Sequence, residues 1–87
     1  MENPQAQTEK IRSVRRRYQE VLMSKANVVG VGIGLRQQAG QSTREPALVV
    51  MVRKKIPLSQ LSPDDVIPAS LDGVPVDVQE VGELRAL

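Results

Sequence analysis

The 87-residue chain is long enough for one small domain, and its formal net charge is +2. It contains no cysteine and no histidine, which excludes disulfide bonds, the common zinc sites and catalysis by a Ser-His or Cys-His pair. Because Tyr18 is its single aromatic residue, the core is expected to be aliphatic.

The charge changes sign along the chain. Residues 61–87 hold six acidic side chains and one basic one, whereas the first 60 residues are strongly basic. This polarity favours association between copies of the chain as much as binding of a foreign polyanion. The N-terminus lacks a signal-peptide pattern and no apolar run is long enough to span a membrane, so we expect a cytoplasmic protein with no membrane partner.

A long helix is predicted near the N-terminus. Residues 1–7 form a polar lead-in, which is expected to be flexible, and a single domain is expected over residues 8–87. From Thr8, a plausible N-cap, apolar residues recur at helical spacing. Asn27 tolerates a left-handed backbone and predicts that the helix ends near Ala26.

Two strands are predicted next. Residues 28–36 and 47–55 are rich in β-branched residues, and the polar segment between them carries Gly40 near its centre. Two such runs joined by a glycine-containing loop are typical of an antiparallel hairpin.

The last third predicts a short helix and a third strand. Ser62-Pro63-Asp64-Asp65 has the composition of a helix start, and Pro68 ends that helix. After an Asp72-Gly73 turn, valines alternate from Val74 to Val78 around Pro75, which indicates an edge strand. The expected fold class is α+β: a long N-terminal helix packed on a small three-stranded mixed sheet, with a short crossover helix.

Glycine occupies every second position of the first strand, at Gly30, Gly32 and Gly34. The spacing differs from the G-x-G-x-x-G loop of dinucleotide-binding proteins and from the P-loop, and no helix signal follows. We therefore interpret the glycines as a strand face without side chains. Strict alternation puts Val28 and Arg36 on that face, and the following residues on the opposite one: Val29, Val31, Ile33 and Leu35.

The second strand is apolar on both faces, and the long helix can cover only one of them. A second copy of the chain is the expected cover for the other, since large exposed apolar patches are rare on monomers. The sequence thus predicts a self-associating protein-interaction module with no enzymatic activity. The expected interaction face consists of Gly30, Gly32, Gly34, Ala47, Val49 and Met51.

Two basic clusters are candidates for anion contact: Arg12, Arg15, Arg16 and Arg17 on the helix, and Arg53, Lys54 and Lys55 at the end of the second strand. Contact with nucleic-acid phosphates is the alternative function, although it is not favoured because stacking aromatics are missing. A solvated surface is the simpler interpretation of both clusters. The acidic residues match no calcium-loop spacing, so we expect no metal, no cofactor and no catalytic residue.

Three segments together resemble a known family: "NVVGVGIG", "EPALVVMVRKK" and "VIPASLDGVPVDVQEVG". They resemble the segment that precedes the peptidase domain in bacterial trypsin-like proteins and related plant proteins of the narrow-leaf type. The resemblance covers residues 26–82, and "IPASLDGVPVDV" is its most specific part. The family's peptidase machinery lies downstream of this segment, so the resemblance implies an accessory or assembly domain, either free-standing or part of a larger protein. It also implies a trypsin-like peptidase as a partner.

Overall fold

The computed structural model describes residues 4–82, which form one α-helix and a four-stranded mixed sheet. The α+β class is confirmed, but the sheet has four strands where three were predicted. The elements are α1 (Pro4–Met23), β1 (Val28–Gln38), β2 (Gln41–Val52), β3 (Ser70–Leu71) and β4 (Val74–Glu80).

Helix α1 begins earlier and ends earlier than predicted. Its first residue is Pro4, so Thr8 lies inside the helix and is not its N-cap. Proline is well suited to a first helical position because the amide that it lacks would have no partner there. The expected lead-in therefore contributes residues 4–7 to the first turns, while residues 1–3 lie outside the described part of the chain. The boundary between lead-in and domain stays a prediction.

The segment after α1 turns at Asn27, which has the predicted left-handed backbone, with φ of 76°. Its side chain is bonded to the end of β2: Oδ1 accepts a hydrogen bond from the Lys54 amide at 3.1 Å, and Nδ2 donates to the Lys54 carbonyl. Asn27 thus reverses the chain and joins the end of α1 to the sheet.

The β1–β2 hairpin is longer than predicted. Ala39 and Gly40 form a two-residue turn with φ of 53° and 79°, and Gln38 pairs directly with Gln41. A turn with two positive φ angles matches the twist of the flanking strands, so the polar residues on either side continue the ladder.

The sheet order is β1-β2-β4-β3, with β2 antiparallel to β1 and parallel to β4. Leu48, Val50 and Val52 of β2 pack against the apolar stripe of α1 that includes Ile11 and Leu22. The central position of β2 explains its continuous apolar sequence, since strands flanked on both sides and both faces need apolar residues throughout.

The predicted crossover helix is wrong. Residues 53–69 contain two single 3₁₀ turns, Leu58–Gln60 and Pro63–Asp65. Pro63 and Pro68 stand too close together for an α-helix to form between them, because each proline disfavours helical backbone at the residue before it. Ser62 makes no cap to the backbone; its hydroxyl donates to the Asp65 carboxylate at 2.8 Å.

The prediction that β4 is an edge strand is also wrong. It lies between β2 and the two-residue strand β3, which the Asp72-Gly73 turn folds back against Val74 and Pro75. A strand of two residues carries no detectable alternation, so the sequence did not reveal it. Pro75 remains acceptable because β3 covers only the beginning of β4.

A β-bulge changes the predicted faces of β1. Val28 is paired with Val52 but Gly30 with Met51, so one extra residue stands in β1 between them. Val28 therefore packs against the core together with Val31 and Ile33, and not on the face of the glycines. A second irregularity follows Leu35, which is 47% exposed although alternation had placed it on the core side.

Candidate interaction surfaces

The sheet face opposite α1, here called the glycine face, carries Gly30, Gly32 and Gly34. Side chains of β2 lie across these glycines. A Cβ atom on Gly30 would stand 2.8 Å from Met51 Cε, and one on Gly34 would stand 3.1 Å from Val49 Cγ2. On Gly32 the nearest atom would be Met51 Cε at 3.8 Å, an ordinary contact. The glycines thus leave room for Met51 and Val49 of the same chain.

Part of the predicted interaction face is covered from within the chain. Ala47 is completely buried and Val49 is 7% exposed, while Met51 is half-buried. This burial results from the strand register, which pairs Gly34 with Ala47 and Gly32 with Val49. The register depends on a bulge that the sequence did not indicate.

A polar bridge crosses the glycine face. The Asp77 carboxylate of β4 accepts hydrogen bonds from the Gln37 amide of β1 and from Gln79 Nε2, both at 2.9 Å. Gln79 Nε2 also reaches the Leu35 carbonyl at 3.4 Å. Because β2 lies between β4 and β1, these bonds pass over β2 on the side of Val49. For Asp77 and Gln79, no role on this face was predicted from the sequence.

The part of the glycine face that remains open is a groove of about 370 Å³. Its lining is apolar along β2, with Val49 and Met51, and polar toward β4, with Gln79. Leu35, whose carbonyl accepts the Gln79 bond, borders it as well. This groove lies on the predicted interaction face.

The four arginines of α1 do not form one cluster. Arg17 pairs with Asp72 at 3.1 Å, and its guanidinium lies 6.0 Å from the centre of the Tyr18 ring. Tyr18 also donates to Asp72, at 3.1 Å. The arginine flank of α1 consists of the other three, Arg12, Arg15 and Arg16, which together with Gln19 surround a depression of about 250 Å³.

The second basic cluster lies beside the end of α1. Its backbone is fixed: the amide of Arg53 donates to the Asn27 carbonyl at 2.9 Å, and that of Lys55 to Glu80 Oε1 at 2.8 Å. The side chains of Arg53, Lys54 and Lys55 are exposed. The cluster keeps the position predicted for a strand that runs into solvent.

The segment between β2 and β3, residues 53–69, is here called the crossover. A further depression of about 290 Å³ lies between it and the sheet and is lined by Ile56, Leu58, Leu61, Ile67 and Val78, among others. Asp65 stands at its rim and accepts hydrogen bonds from the Ala26 amide at 2.9 Å and from Ser62 Oγ at 2.8 Å. The bond from the Ala26 amide lowers the pKa of Asp65 below its ordinary value of 3.8. The hydrogen bond from Ser62 and the positive charge of Lys25 lower it further. Asp65 thus attaches the crossover to the end of α1.

Neither a metal centre nor a membrane span was found in the described part of the chain. No group of three or more metal-ligating side chains occurs there, and α1 is not apolar enough to cross a bilayer.

Residues 5–81 match the model of the NARROW LEAF 1 N-terminal domain. The chain belongs to this family. The match begins in the first turn of α1 and continues past the end of β4, so it includes the hairpin, the crossover and both candidate surfaces. A search of curated proteins found no match.

Proposed function

We propose that this domain is a non-enzymatic module that associates with itself through the glycine face. The observation that supports the proposal is the groove of about 370 Å³ on the side of the sheet that α1 leaves uncovered. Val49 and Met51 line it, and Met51, which is half-buried, keeps part of its apolar surface accessible there. Exposed apolar side chains next to an apolar groove are typical of interaction surfaces.

A second copy is the occupant that we favour. In a two-fold symmetric contact each copy offers the same patch, so Met51 and Val49 of one protomer would contact the same residues of its partner. None of the described residues that line the groove is charged, so the lining itself does not repel a second copy.

The absence of enzymatic activity remains part of the proposal. The chain has no histidine and no cysteine, and three of its carboxylates have structural partners. Asp65 is bonded to Ala26, Asp72 to Arg17 and Tyr18, and Asp77 to Gln37. A carboxylate that is fixed in this way is not available as a general base.

Light scattering of matched variants tests the proposal. Gly32→Glu places a charge in the groove, at a position with space for a Cβ atom, whereas Leu58→Glu places the same charge on the crossover, where Leu58 is 71% exposed. At about 100 µM, well above the Kd of a stable interface, we expect the wild type and Leu58→Glu to be oligomeric and Gly32→Glu to be monomeric. A monomeric wild type, or equal masses for both variants, would contradict the proposal.

A role beside a trypsin-like peptidase is a second proposal. It is supported by the sequence motifs, which resemble the segment ahead of such peptidases, and by membership of a family described as an N-terminal domain. Adding the purified chain to the peptidase domain of a family member is expected to change its rate of peptide hydrolysis or to give a co-eluting complex. If neither occurs, this proposal is wrong, whatever the oligomeric state of the chain.

A further inference from the structure

The outer edge of β1 is an open strand edge. Within residues 4–82, β1 is the last strand on its side of the sheet and is 11 residues long. Natural edge strands are usually short or carry lysine, proline, inward-pointing charge or a β-bulge, because a long free edge pairs with other chains. The strand VVGVGIGLRQQ has no lysine and no proline, and its irregularities lie at Val29 and after Leu35, so its edge is regular from Gly30 to Leu35.

The arginine flank lies on the same side of the molecule as this edge. The opposite flank of α1 faces β3 and β4, because the Lys10 ammonium lies beside Gly73 and Arg17 pairs with Asp72. Arg12 and Arg15 are separated from these residues by more than a third of a helical turn and therefore project toward β1.

The arginine flank has unused capacity for an acidic partner. Of its three members, none forms an ion pair with another described residue. Three arginines that surround one depression create a local positive potential that would attract carboxylates.

We propose that the edge of β1 binds an extended peptide segment as an additional strand. Its main chain would pair with the free edge, and its side chains would alternate between the two sheet faces. On the side of α1 the bound segment would carry Asp or Glu, which meet Arg12 and Arg15. On the glycine face it would carry apolar side chains, which meet the Met51 methyl group where it extends over Gly30.

A second copy of the chain does not fit this edge as well as an acidic peptide. If the β1 strands of two copies paired antiparallel about a two-fold axis, both α1 helices would lie on the same face of the joined sheet. The two arginine flanks would then face each other, and like charges across an interface oppose binding. The inference therefore concerns a different partner, and a surface that adjoins the self-association groove and shares Met51 with it.

Fluorescence anisotropy with short labelled peptides tests the inference on the full chain at low salt. The probe alternates glutamate and valine, and two control peptides replace glutamate by lysine or the central valine by proline. We expect saturable binding of the acidic peptide alone, because lysine reverses the charge and proline removes an amide that the edge requires. Binding should weaken as salt is added, since exposed charge pairs are screened.

Paired variants locate the contact. Arg12→Ala with Arg15→Ala is expected to weaken binding about three- to tenfold, as the loss of two surface ion pairs would. Arg44→Ala with Arg53→Ala removes the same charge elsewhere and should change binding by less than about twofold. Hydrogen exchange in the complex should slow in residues 28–38 and not in β3.

Three results would overturn the inference. One is equal binding of the proline-containing peptide, which would show that no strand is added. Another is protection by the bound peptide outside β1. The third is binding of a mixed-sequence oligonucleotide that depends on Arg12 and Arg15 while the acidic peptide does not bind, which would identify the flank as a nucleic-acid surface. The titrations use the chain at concentrations where it is monomeric, because the groove and the bound peptide share Met51.

Discussion

The two faces of β2 are covered in different ways. On one face Leu48 and Val50 are fully buried in the core beneath α1. On the other face Val49 and Met51 lie across the glycines of β1, and a hydrogen-bonded bridge from Asp77 crosses the strand. The first face is closed by a whole secondary-structure element, and the second by a few side chains of the sheet itself. The second face is thus the one that retains an open groove.

The largest expected difference is between matched truncations on the two faces. Leu48→Ala is expected to lower the free energy of unfolding by about 2–5 kcal/mol, because it leaves a cavity under α1. Met51→Ala should cost only about 1 kcal/mol, since Met51 is half-buried and its surroundings can relax. Urea denaturation of both variants measures the difference. Equal losses would show that the glycine face contributes as much to the core as the helix face.

Alanine substitutions at the glycines should differ among themselves. Gly34→Ala is expected to cost about 1–3 kcal/mol, because its Cβ would be 3.1 Å from the stiff side chain of Val49. Gly30→Ala should cost less, although its contact is shorter, since the flexible end of Met51 can move. Gly32→Ala should be neutral or stabilise by about 0.5 kcal/mol, because the site has space and alanine lowers the entropy of the unfolded chain.

Thermal or urea unfolding should therefore show the largest loss of stability for Gly34→Ala, a smaller loss for Gly30→Ala and none for Gly32→Ala. If all three alanine variants were equally destabilised, the side chains of β2 would not be the reason for the glycines.

The helix face was predictable from the sequence and the glycine face was not. The stripe from Ile11 to Leu22 and the run from Leu48 to Val52 have periodicities that lead directly to a helix packed on a strand. The neighbours of Gly30 depend on register instead. That register results from the bulge at Val29 and the Ala39-Gly40 turn, and neither is marked by a distinctive residue pattern.

The candidate surfaces show the same division. The residue types were visible in the sequence, but Arg17 separates from Arg12 and Arg16 only because the Asp72-Gly73 turn comes to lie beside α1. The short strand β3, which positions that turn, has too few residues for pattern recognition.

The polar bridge on the glycine face should contribute less to the free energy of unfolding than the core beneath α1 does. Asp77→Ala is expected to cost about 1 kcal/mol, because it leaves the Gln37 amide and Gln79 without their acceptor. Asp77→Asn retains an acceptor oxygen and should be milder. Chemical denaturation of the two variants separates the hydrogen bond from the rest of the side chain, and the interpretation fails if Asp77→Asn is the more damaging change.

The smallest effect on stability is expected at Asp65, which bonds to the end of α1, and it depends on pH. Its pKa is lowered in the folded state, mainly by the Ala26 amide, relative to 3.8. The carboxylate therefore stabilises the fold above that unfolded value, and this stability is lost as the pH falls through the lower folded pKa. Asp65→Asn should flatten the stability profile below about pH 4. A profile identical to that of the wild type would show that Asp65 does not attach the crossover to α1.

Glycine amide resonances provide the most direct test of the claim that the glycine face is an interaction surface. The measurement is a dilution series followed by heteronuclear NMR. Gly32 and Gly34 line the groove and their signals report on it, whereas Gly73 in the distant β3–β4 turn is the control. Self-association through this face predicts concentration-dependent shifts or broadening for Gly32 and Gly34, with Gly73 unchanged. Invariant signals at all three glycines up to about 100 µM, where a stable interface would be populated, would contradict it.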